Sequence, residues 1–420
     1  MGKSYLIPVA SPLHNPEQVS EVLLQYLSAK LPVDEILGLI TTREHVDKAQ
    51  ITADDLAVVA PITGGTEELI VELAGKARFT LILPHNQMNS LPASLEAYSM
   101  LRLAERPATL IAEWPLSQNA LSFINAWRTV DSVGKYVLGI IGEPSPWLVY
   151  SATNEVGELL RQLLPGLRIV RINMNEVIEL FANIGDEEVA ELTGKVIENA
   201  VMVKVSSSEV RKAIKLYVSL KRLIARHGLK ALTIRCFDLI RDLGTTACLA
   251  LSLLNSEGLV AGCEGDLSAL VTMAILKELT KGPVFMGNIS WVEREEILIT
   301  HCSIALGMTC KYGLDTHFES GVGVGIAGHI PRGSPVTLVK LDPLSNTLRI
   351  IRGTVIDGEP LSSKHCRTQL KVKVSGGSEV TSQILSNPIG NHYVLALGDY
   401  ELDLRYVAEI TGLIYEDLAH

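Results

Sequence analysis

Residues 129–148 read TVDSVGKYVLGIIGEPSPWL. A polar, helix-like end gives way to a Gly-Lys turn at 134–135, then to an apolar run at 136–141 that stops at Gly142 and a loop with two prolines. A short apolar run bounded by turn signals reads as a buried strand, and here it restarts a pattern already complete upstream. In that upstream part, residues 5–10 read as a strand, 16–29 as a helix, 35–40 and 56–61 as strands, 67–77 as a helix and 80–84 as a strand. Strands alternating with helices form βαβ units and a mostly parallel sheet. The restart therefore predicts a second α/β unit, with further strands at 167–172, 231–235 and 259–263 and a long helical region at 186–225 rich in Glu and Lys. Beyond about Thr309 the segments VTLVKL, LRIIRGTVI, QLKVKV and HYVLALGDY are short, β-branched and bounded by Gly, Pro, Asn or Asp. That is the pattern of antiparallel strands in a barrel or sandwich.

Composition bounds the function. A chain of 420 residues exceeds one ordinary core, so two or three domains are expected. The apolar content, 47% of residues against 5% aromatic, is mostly Val, Ile, Leu and Ala and suits parallel strands covered by helices. A formal charge of −10, with no Lys/Arg run, argues against nucleic-acid binding. The apolar stretch near the N-terminus is too short for a signal-peptide core, and no run reaches membrane-spanning length, so a soluble, cytoplasmic protein is expected. None of the six cysteines forms a CxxC pair, which predicts reduced, buried thiols rather than a zinc ribbon.

Two strands deliver acids at their carboxyl ends, where ligands bind in open α/β sheets. The strand at 231–235 runs into Cys236-Phe237-Asp238, and the strand at 259–263 into Glu264-Gly265-Asp266. Taken alone, Asp266 reads as the cap of the helix that follows and Asp238 as a solvated turn acid. Together they point to a site. His392, after a Gly-Asn turn and at the start of an apolar strand, adds an imidazole held on a rigid element. One imidazole and two carboxylates suit Mn²⁺ or a similar divalent ion with positions left for substrate oxygens. Glu264 reads as a supporting residue, because Gly265 leaves it free to turn away. The GxGxxG match at Gly323, Gly325 and Gly328 lacks a preceding buried strand, and Pro331 stops any helix after it, so it is no dinucleotide fingerprint. In the first domain, Thr63-Gly64-Gly65-Thr66 lies between a strand and a helix, followed by acids that disfavour phosphate but tolerate a sugar hydroxyl. The next loop, PHNQMNSLPAS, is rich in Asn; there Asn89 reads either as a hydroxyl ligand or as a helix cap.

The stretches TGGTEELI, HNQMNSLPASLEA, TIRCFDL, AGCEGDLSALVTM, GPVFMGN, THFESGVGVGIAG, CRTQ and GNHYVLALGD resemble the L-fucose isomerase family and its shorter, fucose-isomerase-like members. The resemblance implies two Rossmann-like domains, here 1–133 and 134–258, and a C-terminal β-barrel-like domain, 259–420, carrying part of a metal site. It implies a homo-oligomer, trimer or hexamer, with sites near subunit contacts. It also implies that Asp238, Asp266 and His392 bind Mn²⁺, with Asp238 and Asp266 as the acid/base pair. Asp238 stands where that family has Glu, one methylene longer. Thr63, Gly64, Asn89, Asn288, His301 and Glu319 follow as substrate-binding candidates, while Cys366 and Arg367 belong to the subgroup pattern without an assigned role. The expected activity is a metal-dependent aldose–ketose isomerisation of a free, unphosphorylated sugar, L-fucose- or L-arabinose-like, through a cis-enediolate. An epimerase, an aldolase-type lyase and a non-catalytic sugar-binding protein are the alternatives.

Overall fold

The structure, a computed structural model, describes residues 2–113 and 117–419. They fall into two compact units, one up to Asp131 and the other from Ser132 onward.

The first unit is a five-stranded parallel sheet. Its strands are β1 (Ser4–Val9), β2 (Glu35–Ile36), β3 (Leu56–Pro61), β4 (Phe79–Ile82) and β5 (Ala108–Leu110), in spatial order β2-β1-β3-β4-β5. Every residue of β1, β3 and β4 is buried, as continuous apolar strands with both faces covered must be. Helix Pro16–Ser28 starts at Asn15, whose side chain accepts from the Glu17 N–H. The strand order reverses between β1 and β3, and the Thr63-Gly64-Gly65 turn sits at that reversal. An open groove of about 500 Å³ lies there, lined by Ser11, His14, Gly64, Gly65 and Asn89.

The second unit joins a parallel sheet to a barrel. The sheet contains β6 (Val137–Ile141), β7 (Arg168–Ile172), β9 (Ala231–Ile234) and β10 (Val260–Cys263), in order β10-β9-β6-β7. The helical region expected over 186–225 is broken in two, Asp186–Glu198 and Ser207–His227, by the short β8 (Met202–Val203). The break follows from the Ser-rich stretch at 206–208, where the Ser206 side chain accepts from the Glu209 N–H and starts the second helix.

Antiparallel strands begin well before Thr309, with β11 (Phe285–Glu293) and β12 (Glu296–His301). These form a hairpin whose polar turn includes Arg294 at φ 53°, a break that composition alone disguised. A small sheet pairs β13 (Lys311–Asp315) with β14 (Gly325–His329) and with β8. The glycine-rich motif is thus partly strand, with Gly325 and Gly328 on β14. β15 (Pro335–Asp342), β16 (Thr347–Asp357), β17 (Thr368–Val374) and β18 (His392–Leu397) complete the set. The order β15-β18-β11-β12-β17-β16, with β16 pairing back to β15, closes a six-stranded antiparallel barrel, and β19 (Ile414–Asp417) adds in parallel to β16. Closure removes the unpaired edges that an open sheet would leave.

Helix Leu267–Thr280 ties sheet and barrel together. Nearly all its side chains are buried, from Ser268 through Leu276 without interruption. A helix apolar on every side belongs inside a core. It packs on β9 and β10 on one side and on β15 and β18 on the other. Its few polar groups are spent on the barrel: the Ser268 hydroxyl donates to the Leu341 carbonyl, and Thr272 Oγ1 accepts from the Leu341 N–H at 3.1 Å. Among the described residues no helix is long and apolar enough to cross a membrane.

Candidate active site

The site is built where β10 runs into this buried helix. Asp266 is the N-cap: its Oδ1 accepts from the Ala269 N–H at 2.8 Å. Its other oxygen, Oδ2, lies 3.0 Å from His392 Nδ1. Both residues are fully buried, and 126 positions separate them in sequence. Burial pushes the Asp266 carboxyl up, but the Lys340 charge, the His392 contact and the Ala269 N–H outweigh it and hold it below the ordinary range. An ionised carboxylate only accepts, so His392 turns an Nδ1–H toward Asp266 and its Nε2 faces the other way. That Nε2 is buried and has no hydrogen-bond partner.

What Nε2 faces is Glu264. The Glu264 Oε1 lies 3.8 Å from His392 Nε2 and 3.7 Å from His301 Nε2. The other oxygen, Oε2, accepts from Trp147 Nε1 at 2.6 Å. Burial raises the Glu264 carboxyl, yet the His301 and His392 imidazoles and the indole N–H overcome that and hold it down to about 2. Burial lowers His301, but the Glu264 carboxylate more than offsets it and the imidazole is raised. His301 Nδ1 sits 3.0 Å from Ser303 Oγ. Each of the three residues therefore has an outer partner fixing one atom while another points inward: Trp147 for Glu264, Ser303 for His301, Asp266 for His392. One ligand atom from each of Glu264, His301 and His392 lies within 4.8 Å of the others.

The backbone supports this placement. Glu264 adopts φ 66°, a left-handed conformation that non-glycine residues reach only when their surroundings impose it. Gly265 follows at φ 76°, and a Cβ there would stand 2.7 Å from Pro144 Cα. The glycine therefore serves close approach of the 143–148 loop, and Glu264 is turned into the cluster rather than away from it. The two histidines come from the barrel rim. His392 opens β18 and pairs with Asn288 on β11, Asn288 pairs with Thr300 on β12, and His301 ends β12. Glu, His and His, with an orphaned buried ring nitrogen among them, are a donor set that fits a divalent metal ion.

The other candidates distribute as follows. Asp238 lies in the first turn of helix Cys236–Leu243, outside this three-residue cluster, with Arg235 Nε 3.6 Å from its Oδ1. It is placed where β6 and β9 diverge in strand order, the crevice where doubly wound sheets bind ligands. Asn288 Oδ1 accepts from Asn391 Nδ2 at 2.8 Å. Glu319 is exposed, its charge contributing to the field that raises His301. Arg367 anchors the 315–324 loop through the Thr316 carbonyl at 2.7 Å, and Cys366 is half-buried. In the first unit, Thr63 is buried and bonded within the fold, Gly64 is buried, and Asn89 is exposed at φ 59° with no side-chain cap bond. Trp147, Ser303 and Lys340 were not legible as site residues. The proline-bounded aromatic in EPSPWL, just past a strand end, was the one signal that could have singled out Trp147.

No family model matches the sequence. The chain is similar to proteins named sulfoquinovose isomerase. The one from Priestia aryabhattai is 23% identical over 329 residues, 74% of this chain and 72% of that protein. The one from Alkalicoccus urumqiensis is 24% identical over 355 residues, 78% and 76% of the two chains. A third, from Clostridium sp. (strain MSTE9), is 27% identical over 161 residues, 37% and 36%.

Proposed function

We propose that this chain is a metal-dependent aldose–ketose isomerase acting on an unphosphorylated sugar. The observation that carries the reading is the buried, partnerless His392 Nε2 facing Glu264 and His301. Its similarity to sulfoquinovose isomerases supports the reaction class and adds sulfoquinovose to L-fucose and L-arabinose as candidate substrates.

In this reading Glu264, His301 and His392 hold the ion, with Mn²⁺ the first candidate. A divalent ion bound there would polarise a sugar carbonyl and acidify the adjacent C–H. Asp266, with both oxygens engaged, keeps the Nδ1 proton in place and leaves Nε2 as a donor. Ser303 does the same for His301, its hydroxyl 3.0 Å from Nδ1. Asp238, at the sheet crevice and partly exposed, is the carboxylate left to move the proton. It would remove the C2 proton to give the cis-enediolate and return it to C1, while the hydroxyl proton passes from O2 to O1 between the two adjacent oxygens.

The test is C2-proton exchange in D₂O with Mn²⁺-loaded protein and a panel of sulfoquinovose, L-fucose, L-arabinose and their ketoses. Exchange with ketose formation, lost in Glu264→Gln, is the expected result. Exchange without a ketose would redirect the reading to an epimerase or an aldol cleavage. Sugar binding without exchange would make the chain a sugar-binding protein.

A further inference from the structure

We propose that Trp147 is the aromatic wall of the sugar pocket, a specificity-determining residue that takes a C–H face of the substrate; this rests on the reading of the site as a sugar site. The loop after β6 brings Trp147 to the crevice between β6 and β9, and its Nε1 donates to Glu264 Oε2 at 2.6 Å. Trp147 as a residue is nevertheless 47% exposed, next to a Glu264 carboxylate that is mostly enclosed. An exposed indole is unusual in a chain with only four tryptophans and 5% aromatic residues.

The ring is held from two sides. The bond to Glu264 fixes its edge, and Phe237 packs edge-on with centroids 4.7 Å apart and planes at 77°. Phe237 in turn packs on His317 at 5.5 Å and 82°. Phe237 is the immediate neighbour of Asp238, so the same turn supplies the proposed proton carrier and the buttress of the indole. A π face is electron-rich and attracts polarised C–H bonds, while a rigid ring costs little conformational entropy on binding. A sugar gripped by its oxygens at the Glu264–His301–His392 cluster exposes C–H bonds within reach of this face. The ligand class is a polyhydroxylated chain or ring with a contiguous C–H face.

Trp147 thus has two separable duties, a donor N–H toward Glu264 and a stacking face toward sugar. Trp147→Phe keeps a ring and loses the N–H; Trp147→Ala loses both. Mn²⁺ affinity is read from the free-ion EPR signal, and L-fucitol, L-arabinitol and the alditol of sulfoquinovose, which cannot isomerise, are titrated at saturating Mn²⁺. Both variants should weaken Mn²⁺ by roughly 10–100-fold, as losing an outer partner of a ligand does. Trp147→Phe should bind the best alditol within about threefold of wild type, whereas Trp147→Ala should lose about tenfold or more. Wild-type Trp emission should change on alditol binding, and the change should vanish in Trp147→Phe. Equal alditol affinity in the two variants, or no alditol binding by the wild type, overturns the wall. Alditol binding sensitive to Trp147→Ala without any C2-proton exchange by the wild type leaves the wall standing and fails the isomerase reading alone.

Discussion

Two strand-to-helix turns of this molecule look alike in sequence and behave oppositely. Residues 63–66, TGGT, and residues 264–266, EGD, each follow a buried parallel strand and open a helix, and each carries glycine among polar groups. In the first turn the polar groups are consumed locally. Thr63 Oγ1 accepts from the Ser11 N–H at 2.8 Å and donates to the Gly64 carbonyl, Thr66 Oγ1 donates to the Thr63 carbonyl, and the Gly64 N–H reaches the Met88 carbonyl. In the second turn only half of Asp266 is spent on its helix. Asp266 Oδ2 and Glu264 Oε1 are directed at histidines from distant barrel strands, one of which keeps a buried nitrogen without a hydrogen-bond partner. Polarity at a strand end is common; an incompletely satisfied buried group is what separates a binding site from a well-made turn.

The sharpest way to break this contrast is to remove the two carboxylates one at a time. Asp238→Asn should slow C2-proton exchange by about 10²–10⁴-fold with Mn²⁺ affinity unchanged, since it acts on the proton and not on the ion. Asp266→Asn should instead weaken Mn²⁺ by roughly 10–100-fold, through the His392 ring it orients. If Asp238→Asn also abolished metal binding, the division of labour between the two acids would fall. EPR titration and exchange kinetics on the same samples read both.

A substitution in the first turn should move stability and nothing at the metal. A Cβ on Gly64 would stand 2.8 Å from Asn89 Cβ, so Gly64→Ala should destabilise the first unit by about 1–3 kcal/mol in denaturant titration. Mn²⁺ affinity should stay at the wild-type value; a loss there would show the first turn reaching the ion.

The smallest effect tests whether an acid that serves only structure can be told from one that serves the site. Glu278 accepts from the Tyr136 hydroxyl at 2.5 Å and from Lys277 and Lys281 at 3.1 and 3.0 Å. Burial pushes its carboxyl up, but these donors outweigh it and bring it from the ordinary 4.5 down to about 2. A depressed pKa means the ionised form favours the folded state above pH 4.5, and that contribution is lost as pH falls from 4.5 toward 2. Glu278→Gln should cost about 1 kcal/mol at neutral pH, once solvent screening of the lysines is allowed for, and nothing near pH 2. Thermal unfolding across that range measures it, and C2-proton exchange should be unaffected throughout.

Much of this was legible in the sequence. The period of the apolar runs marked both parallel sheets and the change to antiparallel strands, because burial on both faces or on one writes directly into strand composition. The barrel hairpin at 285–301 was missed as strand, since WVEREE hides its turn among charges. Asp266 and His392 stand out in the sequence as two ligands of one ion; the structure shows the acid capping its helix and holding the Nδ1 side of the His392 ring. Glu264 was read as turning away, an inference from the freedom of Gly265 that ignored what packs on that glycine.

By itself, then, the sequence determined the alternation of elements, the acidic turn at 264–266 and an imidazole at the start of a strand, all consequences of interactions between residues near one another along the chain. Only the tertiary structure decided which atoms were left over. The bond from Trp147 to Glu264 spans 117 residues, and the gathering of Glu264, His301 and His392 depends on barrel closure and on the register of β18, β11 and β12. Whether a buried polar atom finds a partner is a property of packing in three dimensions, and no local pattern records it.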